Sequence, residues 1–488
     1  MAARDRDAQH TGTRLSGEDL TFWWADSPLQ PTTMAMLMLL DQAPDPARLR
    51  AAFARAVAAV PRLAERVVDA PLNLTLPHWE LDPTFDLDYH VRRHALPGRA
   101  DLTELFDEIA PAYEAPFDRS RPLWEARVYD GLTEKGAAAT FFKLHHAVAD
   151  GVGGNAIFAA MTDWERDPVN PPQSPRAHDG NGAWPAPRWL GARVLDAIRD
   201  RMQLDLERAG AVASTVVDTV EHPAKLARAL EALGSLVELS RFDSHAPRTG
   251  FGRARRLSGL DVPFADMRRI KQALGGSMID VILTIMARGI GQWHTAHRLH
   301  QVHELMTLVP VNLRKPEEWA EKPHVGNIAT GILVPLPIKL RGPMATYREI
   351  HRRMEAKKAD PAMQASPLLA ELLSVLPPQF FTWMSEATFG TVDFIVTNVP
   401  GIMVPRYLAG SEIVAAYPFA PVAVRSPVSI ALYGYRDRLF IGITSDKTAM
   451  PDVEAFEAMI HAAFIELRDA VDTKRPSTPR RDGQTSSR

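Results

Sequence analysis

Regular patterning is clear from Asp45 and Pro46, which stand where a helix N-cap and a first-turn proline belong. Leu49, Phe53, Val57 and Val60 then recur at helical spacing up to Pro61, which predicts an amphipathic helix. A second helix is predicted from Asp101, with Leu102, Leu105, Phe106, Ile109 and Tyr113 along one stripe and Pro116 as its stop. Residues 124–129 and 137–144 are rich in aromatic and apolar side chains and read as strands. Six prolines within residues 167–187 break the pattern, and a domain boundary is placed there. Beyond it, Trp189, Val194, Leu195, Ile198, Met202 and Leu206 lie among Arg and Asp and predict an amphipathic helix joining the halves. Its expected role is packing on a core, with contact to a lipid surface as the alternative.

The second half again mixes types. A helix is predicted over 278–293, strands at 304–309, 393–398, 428–434 and 438–444, and a terminal helix over 451–471 whose stripe is Val453, Phe456, Ile460, Ala463 and Leu467. No short-period repeat is visible, and two α+β halves of comparable size are consistent with a duplicated fold. The expected division is a flexible start (1–13), a first subdomain (14–166), a Pro-rich linker with connecting helices (167–245), a second subdomain (246–472) and a disordered tail (473–488).

Composition narrows the function classes. At 488 residues the length favours two to four domains, and 46% hydrophobic with 24% charged residues is ordinary for a globular chain. The formal charge of -3 argues against nucleic acid as a partner, although a local basic patch stays open. The absence of cysteine removes disulfides, thiol nucleophiles, Fe–S clusters and Cys-based zinc sites. The first ten residues, MAARDRDAQH, lack the apolar stretch of a signal peptide, and the apolar run at 34–40 is far too short to span a bilayer. A cytoplasmic protein is expected, with peripheral attachment to lipid left open.

The chemistry is concentrated in residues 141–154, FFKLHHAVADGVGG, where an apolar strand ends in His-His-x-x-x-Asp-Gly. If the strand persists, side-chain alternation puts His146 on the face of Phe142 and Leu144, and His145 on that of Phe141 and Lys143. An imidazole titrating near 6.5 is suited to take a proton from a hydroxyl and return it to a leaving group. Gly151, Gly153 and Gly154 then allow a tight turn into a helix with Ile157, Met161 and Trp164 along its apolar stripe, and its first N–H groups could serve a developing oxyanion. Three readings of His145, His146 and Asp150 compete. They are an acid–base site, a buried pair of core histidines with Asp150 capping the next helix, or a metal site, which diverging neighbours on a strand suit poorly. Neither a Gly-x-Ser-x-Gly elbow nor a phosphate loop of the Gly-x-x-x-x-Gly-Lys type occurs.

With these residues the chain resembles the bacterial wax ester synthase/diacylglycerol acyltransferases, within the wider chloramphenicol-acetyltransferase-like superfamily of His-His-x-x-x-Asp-Gly acyltransferases. The resemblance includes the opening RLSGEDLTFWWADSPLQPTTMAMLMLLD and Pro122-Leu123-Trp124, whose Trp124 stands 21 residues before His145. Pro310-Val311-Asn312-Leu313-Arg314, Gly326-Asn327 and Thr397-Asn398-Val399-Pro400-Gly401 continue it, so that it spans about residues 14–471.

This resemblance implies an α+β fold, a mixed α/β sandwich of two acetyltransferase-like subdomains with a tunnel between them. Acyl-CoA would enter from one side and a diacylglycerol or long-chain alcohol from the other, with no cofactor and no metal. His146 matches the general base, His145 its supporting partner, and Asp150 and Gly151 the structural end of the motif. Pro122, Leu123 and Trp124 match a structural or pocket-lining segment, Asn312 and Arg314 polar groups facing the tunnel, with Arg314 a candidate partner for Asp150, and Asn398, Pro400 and Gly401 a turn. One departure stands out: Ile279-Asp280 replaces the family's Asn-Asp, which puts activity or acceptor choice in question while leaving Asp280 as a capping acid. The alternatives are a condensation-type acyltransferase with another alcohol or an amine as acceptor, and a non-catalytic lipid-binding protein of the same fold. A surface of membrane or lipid inclusions is a further expected partner.

Overall fold

The computed structural model describes residues 13–168 apart from 97, 134 and 135, then 190–221, 243, 251–311, 330–359 apart from 340, and 390–473 apart from 424 and 425. Most of the expected linker, Asn312, Arg314, Gly326, Asn327 and the tail from 474 lie outside the described residues.

Two six-stranded mixed sheets form the frame. In the first half the elements are α1 (Gly17–Ala25), β1 (Thr33–Leu40), α2 (Pro46–Ala59), β2 (Glu65–Val68), β3 (His78–Leu81), α3 (Leu87–His90), β4 (Val91–Ala95), α4 (Leu102–Glu114), β5 (Trp124–Asp130), β6 (Ala138–His145) and α5 (Gly151–Met161). Then come α6 (Leu190–Glu221), β7 (Arg255–Pro263), α7 (Phe264–Leu274), α8 (Met278–Ala296), β8 (Glu304–Val311), β9 (Thr330–Pro337) and α9 (Pro343–Lys358). The chain closes with β10 (Phe394–Ile402), β11 (Tyr407–Leu408), β12 (Ser411–Phe419), β13 (Val428–Tyr435), β14 (Arg438–Asp446) and α10 (Val453–Asp472).

The first sheet runs β11-β12-β1-β6-β5-β4 and the second β7-β14-β13-β10-β8-β9, with β2 and β3 as a separate hairpin. Residues 407–419 of the second half therefore complete the first sheet, where β12 pairs antiparallel with β1. The sheets approach closely at Gly442, where a Cβ would fall 1.7 Å from Pro418 O, so no side chain fits there. Every residue of β6 is buried, as expected of a short continuous apolar run at the centre of a sheet.

The caps act as the sequence indicates. Asp45 accepts the Arg48 N–H at 2.8 Å and Asp101 the Glu104 N–H at 2.9 Å, each cap contributing about 1 kcal/mol to its helix. Leu49 and Phe53 of α2, and Leu105, Ile109 and Tyr113 of α4, are buried in the first core. Val453, Phe456, Ile460, Ala463 and Leu467 are buried in the second, together with most of α8.

Two stripes behave differently from expectation. On α6, Ala197 and Leu204 face inward, while Leu195, Ile198, Met202 and Leu206 are 59%, 43%, 63% and 73% exposed. The helix is held by ions: Arg14 meets Asp200 at 2.5 Å and Glu207 at 2.7 Å, and the Thr75 hydroxyl donates to Asp200 at 2.6 Å. The apolar stripe thus points away from the core because the polar face carries the docking contacts. On α5 the helix ends at Met161, so Trp164 leaves the stripe and is 70% exposed, its ring covered by the Arg406 guanidinium at 4.0 Å. No single helix among the described residues is long and apolar enough to cross a membrane. The bent pair α7 and α8 passes that test by composition, but α8 is a buried core helix.

Candidate active site

The motif lies where the end of β6, the turn after it and the start of α5 meet. β6 stops at His145, and His146 begins a turn, so strand alternation does not reach it. What separates the histidines is the turn itself, closed by the Val148 N–H donating to His145 O at 2.9 Å and the Ala147 N–H donating to His145 Nδ1 at 3.0 Å. With Nδ1 accepting, the His145 proton sits on Nε2, which donates to Thr32 Oγ1 at 2.9 Å. Both ring nitrogens of His145 are thereby committed, and the side chain is almost wholly buried.

Around His145, Asp26 Oδ2 stands 3.8 Å from Nε2. Asp26 accepts from the Thr32 N–H at 3.0 Å and from Arg119 Nη2 at 2.9 Å. Burial works against the Asp26 charge, but His145, the Thr32 N–H and Arg119 together outweigh it and hold the carboxyl below its ordinary range. His146 is half-buried, its N–H donates to Thr32 O at 2.8 Å, and its ring stacks on Phe22 with 3.8 Å between centroids and 14° between planes.

Asp150 is buried and caps α5: Oδ1 accepts the Gly153 N–H at 2.7 Å and its backbone oxygen the Gly154 N–H at 2.8 Å. The Gly153 N–H, expected among donors for an oxyanion, is thus taken by the cap. Gly151 lets the second half approach, since a Cβ there would meet Val399 Cγ2 at 3.0 Å, and Asn155 Nδ2 donates to Pro400 O at 2.6 Å. The 397–401 segment is therefore brought against α5. Asn398 itself is exposed on β10, and Gly401 is a packing requirement, as a Cβ would fall 1.7 Å from Gly434 O.

Leu123 O accepts the His145 N–H at 2.9 Å, which ties the Pro122-Leu123-Trp124 segment to the motif through its backbone. Pro122 is buried, and Trp124 belongs to the core: its Nε1 donates to Leu63 O at 2.7 Å and its ring stacks on His90 at 4.6 Å. Asp280, fully buried, serves the second core. It accepts the Ser277 N–H at 2.8 Å and meets His351 Nδ1 at 2.9 Å, while Oδ1 has no partner. Ile279 packs half-buried against the same core. Among the described residues no three His, Asp or Glu side chains converge as metal ligands.

Comparison with known proteins decides the family. The wax ester synthase/diacylglycerol acyltransferase catalytic domain matches residues 15–282, and the WS/DGAT C-terminal domain matches 325–468. The chain belongs to the wax ester synthase/diacylglycerol acyltransferase family. It is an acyltransferase of that family by descent as well as by motif. A Mycobacterium tuberculosis protein named a putative diacylglycerol O-acyltransferase is 30% identical over 450 residues, 90% of this chain and 88% of its own. The wax ester synthase/diacylglycerol acyltransferase from Marinobacter aquaeolei VT8 has a similar structure, with a TM-score of 0.64, 19% identity and coverage of 94% of this chain and 100% of its own. The first condensation domain of the calcium-dependent antibiotic synthetase shares the fold at a TM-score of 0.58 and 15% identity, covering 94% and 97%.

Phe22, Asp26 and Thr32, which surround the family's two histidines, were not singled out by sequence reasoning. The only signal was their place in the opening segment that resembles the family. Their nearness to the motif follows from register, Thr33 of β1 lying opposite His145 of β6.

Proposed function

We propose that this chain transfers a long-chain acyl group from acyl-CoA to the hydroxyl of a diacylglycerol or a fatty alcohol, giving triacylglycerol or wax ester. The observation that supports this assignment of roles is the full commitment of both His145 ring nitrogens, which argues against His145 as the base and in favour of His146. In this reading His146 takes the acceptor hydroxyl proton as the oxygen attacks the thioester carbonyl. The tetrahedral intermediate then collapses, the C–S bond breaks, and His146 returns the proton to the departing CoA sulfur. No covalent acyl-enzyme and no metal enter this scheme, and acyl-CoA is a co-substrate rather than a cofactor. Asp150 and Gly151 act as structure, fixing the start of α5 beneath the histidine turn.

The water-poor acceptors favour work at a lipid surface, and the outward stripe Leu195, Ile198, Met202 and Leu206 on α6 is suited to it. The experiment is CoA release from palmitoyl-CoA with hexadecanol or diacylglycerol in separate reactions, with the lipid product identified. Acceptor-dependent release with the matching ester supports the reading. Release only with an amine or carrier-bound partner replaces it with a condensation-type reaction, and acyl-CoA binding without turnover replaces it with a lipid binder. Liposome flotation of the full chain, lost on replacing Leu195, Met202 and Leu206 by Ser, tests the surface.

A further inference from the structure

One residue outside the motif touches both histidines. Thr32 sits between α1 and β1 and presents three groups to the site. Its carbonyl oxygen receives the His146 N–H at 2.8 Å, and its hydroxyl oxygen receives the His145 Nε2–H at 2.9 Å. Its own N–H donates to Asp26 Oδ1 at 3.0 Å. The hydroxyl hydrogen goes on to Phe22 O at 3.3 Å, and Phe22 carries the ring on which His146 lies.

We propose that Thr32 is a positioning residue for acyl transfer, fixing the tautomer of His145 and through it the aim of His146, with Asp26 and Phe22 as its partners. An imidazole has one N–H when neutral, and either nitrogen can hold it. Thr32 Oγ1 in front of Nε2, with the Asp26 carboxylate 3.8 Å behind it, favours the proton on Nε2. Nδ1 then accepts, and the Ala147 N–H that meets it, one residue past His146, favours the same tautomer from the other side. The opposite tautomer would set two N–H groups against each other in the turn that carries the base. The hydroxyl has one hydrogen, so while it donates to Phe22 O it can only accept from His145, and the same residue ties the backbone of Phe22, whose ring stacks on His146, to that tautomer. Trp23 and Phe117, with ring centroids 5.9 and 6.1 Å from that of His145, shield the chain of bonds from water.

This inference rests on His146 as the base for its kinetic arm alone. The tautomer arm needs no substrate, so the two readings fail separately. Thr32→Val keeps the shape and removes the hydroxyl, and Asp26→Asn keeps an acceptor for the Thr32 N–H while removing the charge. The test is long-range ¹H–¹⁵N correlation on the full chain labelled at histidine, with His145 assigned by His145→Gln, together with steady-state kinetics using palmitoyl-CoA. The expected result is a pure Nε2–H pattern for His145 in the natural protein and a mixed pattern in Thr32→Val. With it kcat should fall about tenfold or more, KM for acyl-CoA should stay within about twofold, and Thr32→Ser should recover most of kcat. Should Thr32→Val not fold, Asp26→Asn carries the same readouts. A natural-like tautomer and kcat in the variant, or a Thr32→Ser protein as slow as Thr32→Val, overturns the proposal. If the natural protein turns over no acyl-CoA, the acyl-transfer reading falls, and the tautomer result alone decides whether Thr32 controls His145.

Discussion

At the start of α5, Asp150 accepts the Gly153 N–H at 2.7 Å; at the start of α8, Asp280 accepts the Ser277 N–H at 2.8 Å and meets His351 at 2.9 Å. Both carboxylates are buried and both lock a helix N-terminus, yet their surroundings differ. Asp150 ends the turn that carries His146, and α5 is clasped from the second half by Val399 and by Asn155 on Pro400 O. Asp280 is enclosed by Gly276 and His351 at the edge of the second core, and its helix buries nearly every side chain. A buried aspartate at a helix start thus does two jobs, as the N-cap that closes the histidine turn in one half and as the third residue of a capping box on Ser277 that anchors a core helix in the other.

The sharpest way to break this comparison is to remove each carboxylate. Asp150→Ala should lose about 1–2 kcal/mol of stability with its cap, and kcat should fall on the order of tenfold or more because the histidine turn loses its far anchor. Asp280→Ala should lose about 1–3 kcal/mol, since the Ser277 N–H and His351 lose their shared acceptor, while kcat per folded molecule stays within about twofold. Urea melts beside steady-state rates separate the two, and a large kcat loss in Asp280→Ala would end the distinction.

A smaller effect is expected in acid. His294, in the last turn of α8, is pushed down to about 4 by burial and then by neighbouring His297. The unfolded chain binds this proton below about pH 6.5, so between there and 4 the unfolded state holds more protons and stability falls as pH drops. His294→Gln should flatten the decline of Tm across that interval, and an unchanged slope would contradict the burial argument. The smallest effect should come from Ile279→Asn, which restores the residue usual in the family. Because Ile279 packs on the second core, the change should lower Tm slightly and leave kcat within about twofold. A several-fold rise in kcat would instead place this position in the reacting site.

Local chemistry was legible in the sequence. The caps at Asp45 and Asp101 and the stripes of α2, α4 and α10 obey the helical period, and the histidine motif with its ordered companions pointed to the family that both domain matches establish. What depends on register between distant strands was not legible. The addition of β12 to the first sheet sets residues 411–419 beside β1, and no local pattern foretells it. Thr32 is a similar case, being an ordinary threonine until β1 pairs with β6. The α6 stripe was read correctly as amphipathic but not as facing outward, since amphipathicity does not say which face the ion pairs of Arg14 will hold.

If His146 moves the proton while its neighbours hold it in place, its removal should cost turnover and little else. The most direct measurement is kcat of His146→Ala on palmitoyl-CoA with the better acceptor, alongside its Tm and its affinity for acyl-CoA. A loss of about 10²-fold or more in kcat, with Tm and affinity close to those of the natural protein, is the predicted result. Turnover within a few-fold of the natural protein would contradict it.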